Sequence, residues 1–194
     1  MTTEETADGG GGPRMPGLAE PALVLLVGAS GSGKSTLARR HYRASQIVSL
    51  DGLRAVVADD ECDQDATRDA AGLLKAIIAA RLARRLTTVV DATNGVPAER
   101  AELIALAAAH AMPVAAVVVD TDLDVCLARQ HARPGPLPGR RWGRAVPDPV
   151  VRNQHARTRA SVPALPGEGV TTVLHLTGSD PDGPEPAEAA GLGG

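Results

Sequence analysis

A glycine-rich loop between an apolar run and a helix start is the first stretch of this sequence that could do chemistry. From Gly28 to Ser35 the chain has the spacing Gly-x4-Gly-Lys-Ser. Glycines allow backbone angles at which successive N–H groups point at an anion, and the following helix adds a favourable dipole. The lysine can reach the β- and γ-phosphates, and the serine hydroxyl can ligate Mg²⁺. The loop therefore predicts binding of ATP and Mg²⁺. Its candidate binding residues are Gly28, Ser30, Gly31, Ser32, Gly33, Lys34, Ser35 and Thr36.

Asp51 is a candidate general base, because it follows a predicted strand and precedes a predicted helix. The strand is expected at 46–50, and Arg54 follows the aspartate by about one helical turn. A carboxylate beside a triphosphate can accept the proton of a hydroxyl that attacks the γ-phosphate. The alternative is a helix N-cap, a position that aspartate favours. The combination of Asp51 and Arg54 after a strand favours a catalytic role for both.

Asp91 is the candidate partner of the Mg²⁺ that the loop serine would bind. It ends a predicted strand over 87–91, and Mg²⁺ in kinase sites takes carboxylate and phosphate oxygens as ligands. The alternative is a turn at the strand end, since Asn94 is followed by glycine. For Thr93 and Asn94, the phosphate role and the turn role are equally compatible with the sequence.

Two arginines, Arg129 and Arg133, lie four residues apart where a proline- and glycine-rich segment begins. This segment, at about 131–149, cannot form a regular helix or strand because prolines interrupt it throughout. We interpret it as a lid from which an arginine neutralises charge on the transferred phosphoryl group. The alternative is that the two arginines lie at a helix C-terminus or face solvent. Secondary candidates are Arg140, Arg141, Arg144 and Arg152.

Apolar runs alternate with helical patterns along the chain, which predicts an α/β fold with a parallel sheet and right-handed crossovers. The strand before the glycine-rich loop, at 22–27, is apolar throughout, as expected of a central strand buried on both faces. Ligands of open α/β sheets bind at the carboxyl ends of the strands. We therefore expect Asp91, at the end of the third strand, to lie beside the strand of the glycine-rich loop at this edge.

The longest helical pattern covers 66–85, where apolar residues recur at intervals of three and four. We expect them to form one buried face, made of Ala66, Ala70, Leu73, Leu74, Ile77, Ile78 and Leu82. An acid-rich bend at 59–65 precedes this helix. Such carboxylates could bind a metal, but a solvated start of a helix is the interpretation that we favour.

Length and composition predict one folded domain at 22–177 between two disordered tails, 1–21 and 178–194. The net charge of −3 and the 1% of aromatic residues argue against a stacking surface for single-stranded nucleic acid. The sequence shows no signal-peptide pattern and no apolar stretch of membrane-spanning length. Two isolated cysteines, Cys62 and Cys126, predict a reducing, cytoplasmic environment without a disulfide framework.

Five short segments, taken in order, carry a family resemblance. They are Gly-Ala-Ser-Gly-Ser-Gly-Lys-Ser-Thr at 28–36, Ser-Leu-Asp-Gly-Leu-Arg at 49–54, Ala-Asp-Asp-Glu-Cys-Asp-Gln-Asp-Ala-Thr at 58–67, Val-Val-Asp-Ala-Thr-Asn at 89–94 and Ala-Glu-Arg at 98–100. Together they resemble the kinase module of bacterial polynucleotide kinase-phosphatases and, more distantly, the phage polynucleotide 5′-kinase. The resemblance covers about 23–133 and extends weakly to 176.

The resemblance implies a P-loop kinase fold, with helices on both sides of a five-stranded parallel sheet of order 2-3-1-4-5, and an Arg/Pro-rich lid. It also implies transfer of the ATP γ-phosphate to a 5′-hydroxyl end of RNA or DNA. Two other functions are compatible with the residues. One is a small-molecule P-loop kinase that acts on a sugar, nucleoside or antibiotic hydroxyl, and the other is a non-enzymatic ATP-binding switch.

The resemblance also implies roles for individual residues. Lys34 and Ser35 would hold phosphates and Mg²⁺, and Asp51 would be the general base. Arg54 would hold the phosphate of the acceptor nucleotide or position Asp51. One of the two arginines at the start of the lid would stabilise the transition state.

Overall fold

The computed structural model describes residues 15–136, 138 and 143–177. Within them, five strands form one parallel sheet in the order β2-β3-β1-β4-β5, which confirms the predicted fold class and strand order. The strands alternate with helices because each apolar run is followed by an amphipathic segment that packs back on the sheet. The strands are β1 (Leu23–Val27), β2 (Ile47–Ser49), β3 (Thr88–Asp91), β4 (Val114–Asp120) and β5 (Thr172–Thr177).

Helices cover both faces of the sheet and connect its strands. Proline begins α4, as its fixed φ favours at a first helical turn. Two short 3₁₀ segments, Ala44–Gln46 and Val162–Glu168, lead into β2 and towards β5. The α-helices are α1 (Lys34–His41), α2 (Leu50–Ala58), α3 (Thr67–Leu82), α4 (Pro97–Ala109), α5 (Leu123–His131) and α6 (Asp148–Ser161).

Strand β1 is the centre of the core, and none of its residues is more than 1% exposed. It pairs with β3 and β4, so that Leu25 lies beside Val90 on one side and Ala116 on the other. Its side chains alternate between two core clusters, one with α3 and the other with α1. Burial on both faces explains why the run is apolar without alternation.

Helix α3 buries a narrower stripe than the sequence predicted. Leu73 and Ile77 are 41% and 37% exposed, so placing them in the buried face was wrong. The buried residues recur every four positions, which places them along one side of the helix. They are Ala70, Leu74, Ile78 and Leu82.

The packed part of the chain begins before the predicted boundary at residue 22. Met15 is 6% exposed and packs in the cluster of α1, with Leu18 beside it. The rest of the two predicted tails, 1–14 and 178–194, lies outside the described residues. Among the helices that the structure describes, none is both long enough and apolar enough to cross a bilayer.

The predicted lid is described in part. Residues 132–136 and 143–147 form neither helix nor strand, while Arg140 and Arg141 lie outside the described residues. The two ends of the segment are held together, since His131 Nε2 lies 2.7 Å from Asp148 Oδ1. The segment therefore starts and returns where the end of α5 meets the start of α6.

Candidate active site

The glycine-rich loop, called the P-loop below, connects β1 to α1 at the carboxyl edge of the sheet. Gly31 and Gly33 have φ of +88° and +103°, values that side chains other than glycine rarely adopt. A Cβ on Gly31 would lie 2.6 Å from the carbonyl oxygen of Cys126. Glycine is therefore required there both by the backbone angle and by the close approach of α5.

Lys34 begins α1 and lies buried under the P-loop, with 7% of its surface exposed. Its Nζ donates to the carbonyl oxygen of Ala29 at 2.7 Å and lies 3.4 Å from Ser32 Oγ. Burial lowers the pKa of Lys34 to about 8, although the nearby Asp91 carboxylate acts in the opposite direction. The lysine is thus a desolvated cation that titrates close to neutral pH.

This titration predicts a pH dependence of ATP binding. Because only protonated Lys34 attracts the phosphates, and bound phosphate raises its pKa, affinity should fall as pH rises through 8. The Kd for ATP, measured by isothermal titration calorimetry, should increase about tenfold between about pH 7.5 and 9. Lys34→Arg keeps its charge over this range and is the control, whose Kd should stay flat. An equal rise in both proteins would contradict the assignment.

Ser35 and Asp91, the two predicted metal ligands, lie next to each other. Asp91 ends β3 and pairs in register with Ser49 of β2. Burial raises the pKa of the Asp91 carboxyl, and a hydrogen bond from the Ser35 hydroxyl and the charge of Lys34 partly offset this rise. Ser35 and Asp91 are more than fifty positions apart in the sequence, and the parallel pairing of β1 with β3 brings them together.

Asp51 lies in the first turn of α2 but does not cap it. Ser49 is the N-cap, and its Oγ accepts a hydrogen bond from the Gly52 amide at 3.4 Å. The Asp51 side chain is 63% exposed and forms an ion pair with Arg54. The N-cap alternative for Asp51 is therefore wrong, and its carboxylate is exposed to the cleft while it pairs with Arg54.

Arg54 is buried beside Asp51 and is held from two sides. It is 7% exposed, pairs with the Asp51 carboxylate, and donates through Nε to the carbonyl oxygen of Glu61 at 2.9 Å. Glu61 belongs to the acid-rich bend, so this bend fixes Arg54 through its backbone. Groups of three or more histidines, cysteines and acids that could hold a metal do not occur among the described residues.

A cleft of about 290 Å³ at the carboxyl edge of the sheet joins these groups. Its walls include five predicted catalytic or metal residues, which are Lys34, Ser35, Asp51, Asp91 and Arg133. The predicted P-loop residues Ser30, Gly31, Gly33 and Thr36 also line it. The convergence follows from the parallel sheet, which places the ends of β1, β2 and β3 at one edge.

The two arginines at the start of the lid occupy different positions. Arg133 lies on the wall of the cleft, and its charge contributes to lowering the pKa of Lys34. Arg129 instead donates through Nη1 to the carbonyl oxygen of Gly31 at 3.1 Å, which supports the P-loop from the side of α5. Of the two, Arg133 is therefore the one that lines the cleft.

Several contacts of the P-loop come from residues that sequence analysis missed. The Ser30 amide donates to Gln154 Oε1 of α6 at 3.0 Å, and Thr121 Oγ1 donates to the carbonyl oxygen of Ser32 at 2.9 Å. Gln154 is 124 positions away from Ser30. No local pattern could have indicated it. Arg152, a secondary candidate on the same helix, is exposed.

Asn94 and Arg100 are buried, and their hydrogen bonds hold neighbouring segments of the chain together. Asn94 is 4% exposed, and its Nδ2 donates to the carbonyl oxygen of Leu26 at 2.8 Å, which ties β1 to the turn after β3. Arg100 is fully buried and pairs with Glu168, while its Nη1 donates to the carbonyl oxygen of Asn94 at 2.8 Å. Thr93, by contrast, lines the cleft.

Comparisons with known proteins agree with the fold described above. Residues 23–162 match the protein family described as an AAA domain. No curated protein matches the sequence. Among solved structures, a chain of the Pnkp1/Rnl/Hen1 RNA repair complex is similar, with a TM-score of 0.60 and 21% identity, over 76% of this chain and 47% of that chain.

Two further structures share the fold. AvrRxo1-ORF1:-ORF2 with ATP has a TM-score of 0.63 and 16% identity, over 87% of this chain and 57% of that chain. A gluconokinase from Sinorhizobium meliloti 1021 has a TM-score of 0.50 and 21% identity, over 83% of this chain and 85% of that chain. The chain thus spans about half the length of the first two. At these identities the likeness shows a P-loop kinase-like fold and leaves the acceptor undetermined.

Proposed function

The chain belongs to the AAA domain family, and on that premise we propose that it is an ATP-dependent polynucleotide 5′-hydroxyl kinase. It would transfer the γ-phosphate of ATP to a 5′-OH end of RNA or DNA. The observation that carries the proposal is that Asp51, paired with the buried Arg54, lines the same cleft as Lys34 of the P-loop. A protein that only binds nucleotide has no need of such a carboxylate on the acceptor side.

The proposed reaction uses the cleft from two sides. Lys34 and the P-loop amides hold the β- and γ-phosphates, while Arg133 neutralises charge that develops on the transferred group. Asp51 accepts the proton of the attacking 5′-hydroxyl, and Arg54 holds the Asp51 carboxylate in place. The 5′-oxygen bonds to the γ-phosphorus as the bond to the β,γ-bridging oxygen breaks, and ADP leaves.

Mg²⁺ fits the donor set of this cleft. The hydroxyl of Ser35 and the carboxylate of Asp91 are hard oxygen ligands, and they are already within hydrogen-bonding reach of each other. Mg²⁺ usually completes its shell with water and phosphate oxygens rather than with further protein groups. A cation held by Ser35 and Asp91 would supply positive charge that offsets the negative charge of the phosphates during transfer.

The test is transfer of label from γ-labelled ATP to a 5′-OH oligonucleotide in the presence of Mg²⁺. The matched control is the same oligonucleotide with a 5′-phosphate, which offers no acceptor hydroxyl at that end. We expect label on the first oligonucleotide only. If neither is labelled while ATP binds, the proposal fails.

A small-molecule kinase is the second candidate, favoured by the modest volume of the cleft, about 290 Å³, and by the fold shared with a gluconokinase. It predicts ADP release in response to a sugar, nucleoside or antibiotic and no response to oligonucleotides. A panel of such acceptors, assayed by coupled ADP detection next to the 5′-OH oligonucleotide, separates the two candidates.

A further inference from the structure

Arg144 is a cation of the cleft that has no role in the reaction proposed above. Arg144, from the returning end of the lid, lines the cleft, and its Nη1 lies 3.2 Å from Oε1 of Glu61. The two side chains are 56% and 40% exposed. Glu61 follows α2 and also lines the cleft. The acid-rich bend thus presents a carboxylate to an arginine within the candidate site.

The position of Arg144 on the acceptor side follows from its neighbours. Its partner Glu61 lies three residues after the end of α2, the helix that carries Asp51 in its first turn. Arg133, in contrast, acts on Lys34 of the P-loop. Of the arginines that line the cleft, Arg133 and Arg39 act on the pKa of Lys34 and of Asp91, whereas Arg144 pairs with Glu61 after α2.

Arg54 is poorly suited to bind the phosphate of an acceptor. The residue is 7% exposed, and its guanidinium is already engaged by the Asp51 carboxylate and the Glu61 carbonyl oxygen. Binding a phosphate through Arg54 would draw it away from the base that it positions. Of the two roles that the resemblance allowed, the geometry supports positioning of Asp51, so another cation is needed for the acceptor.

We propose that Arg144 forms a subsite for the backbone phosphodiester nearest the acceptor 5′-hydroxyl, and that Glu61 occupies this arginine until the phosphodiester replaces it. The inference rests on the proposed function. An exposed ion pair contributes little to stability, so breaking it costs little. A phosphodiester can accept two parallel hydrogen bonds from the guanidinium, which compensates for the lost carboxylate.

The exchange would select for polynucleotides. A nucleoside or a sugar carries no anion that could replace Glu61, so Arg144 would stay paired with Glu61 and would not bind the acceptor. A 5′-OH end with its first phosphodiester brings the required charge next to the hydroxyl. Selectivity for the charged acceptor therefore arises from competition at one arginine.

The first test compares two 5′-OH oligonucleotides, one with normal linkages and one with a neutral methylphosphonate at the first linkage. For the unaltered protein, kcat/KM should fall about tenfold with the neutral linkage, the loss expected for one exposed charge-assisted contact. Arg144→Met should lose about tenfold on the normal oligonucleotide and show no further loss on the neutral one. An equal loss from the neutral linkage in both proteins would overturn the subsite.

The second test removes the competitor. Glu61→Gln keeps the backbone carbonyl that holds Arg54 but loses the carboxylate, so KM for the normal oligonucleotide should fall about threefold to tenfold, with KM for ATP unchanged. Glu102→Gln is the matched control, because Glu102 is also an exposed acid paired with a cation, Lys75 at 2.6 Å, on other helices. An unchanged or raised KM in Glu61→Gln would contradict the exchange.

Direct binding separates the subsite from the proposed function. Anisotropy of a labelled 5′-OH oligonucleotide, titrated with the full chain and ADP, needs no phosphate transfer. If the oligonucleotide binds through Arg144 but is never phosphorylated, the subsite stands and the proposed function fails. If it is phosphorylated and Arg144→Met binds it equally well, the proposed function stands and the subsite fails. If it is neither bound nor phosphorylated, both fail.

Discussion

Replacing Asp51 by asparagine is expected to lower kcat for phosphate transfer to a 5′-OH oligonucleotide about 10²- to 10⁴-fold. The amide keeps the shape of the carboxylate but cannot accept the proton of the attacking hydroxyl. The KM for ATP should change little, because Asp51 lies in the first turn of α2 rather than in the P-loop. Initial rates at saturating ATP, measured with γ-labelled nucleotide, give the effect.

A matched control is available on the same helix. Asp59 is exposed and ends α2 with a φ of 55°, a conformation that asparagine also accepts. Asp59→Asn makes the same chemical change at the end of α2 opposite Asp51 and should leave kcat within about twofold. If Asp51→Asn also stays within this range, Asp51 is not the base. Thermal unfolding of both variants shows whether loss of the Arg54 partner, rather than loss of the base, reduces the rate.

Replacing Arg100 by methionine is expected to reduce the free energy of unfolding by about 3–5 kcal/mol. Arg100 is fully buried, and its guanidinium holds Glu168 through two nitrogens, with further bonds to the Asn94 carbonyl oxygen and to Ser161 Oγ at 3.1 Å. Its loss leaves the Glu168 carboxylate, 17% exposed, without its cation. Urea unfolding followed by circular dichroism measures the change.

The exposed pair between Lys75 and Glu102 supplies the control. Its side chains are 45% and 60% exposed, so Lys75→Met should cost only about 0–1 kcal/mol. The double variant of Arg100→Met with Glu168→Leu should recover part of the loss, because a buried pair replaced by apolar residues leaves no unpaired charge. A cost below about 1 kcal/mol for Arg100→Met would show that the buried network does not stabilise the fold.

The sequence carried most of the information on the donor half of the site. The P-loop spacing depends on local backbone geometry, since its glycines need positive φ and its lysine must begin a helix. The rule that ligands bind at the carboxyl ends of parallel strands then predicted that Asp91 would lie beside the P-loop, and the role proposed for Asp51 required it to lie near the same phosphates. In the structure, Lys34, Asp51 and Asp91 all line one cleft. These predictions succeeded because each depends on neighbours in sequence or on a general property of parallel sheets.

Tertiary structure alone decided which of several equivalent side chains faces the cleft. Arg129 and Arg133 are indistinguishable by spacing, yet one supports Gly31 and the other lines the cleft. The same holds for α3, where periodicity indicated a helix but not that Leu73 would be exposed. Periodicity predicts that a segment is a helix with an apolar face. Which residues at the border of that face are exposed depends on the elements that pack against the helix.

The glycine-rich loop from Gly28 to Ser35 therefore indicated phosphate binding without reference to the fold. The contacts that support the site and the core around it join residues that are distant in the chain. Glu61 meets Arg144, Gln154 reaches the Ser30 amide, and Arg100 pairs with Glu168, and none of these pairs has a local signature. Charge and hydrogen-bonding partners that are far apart in the chain are chosen by the packing of whole elements, which only the folded structure specifies.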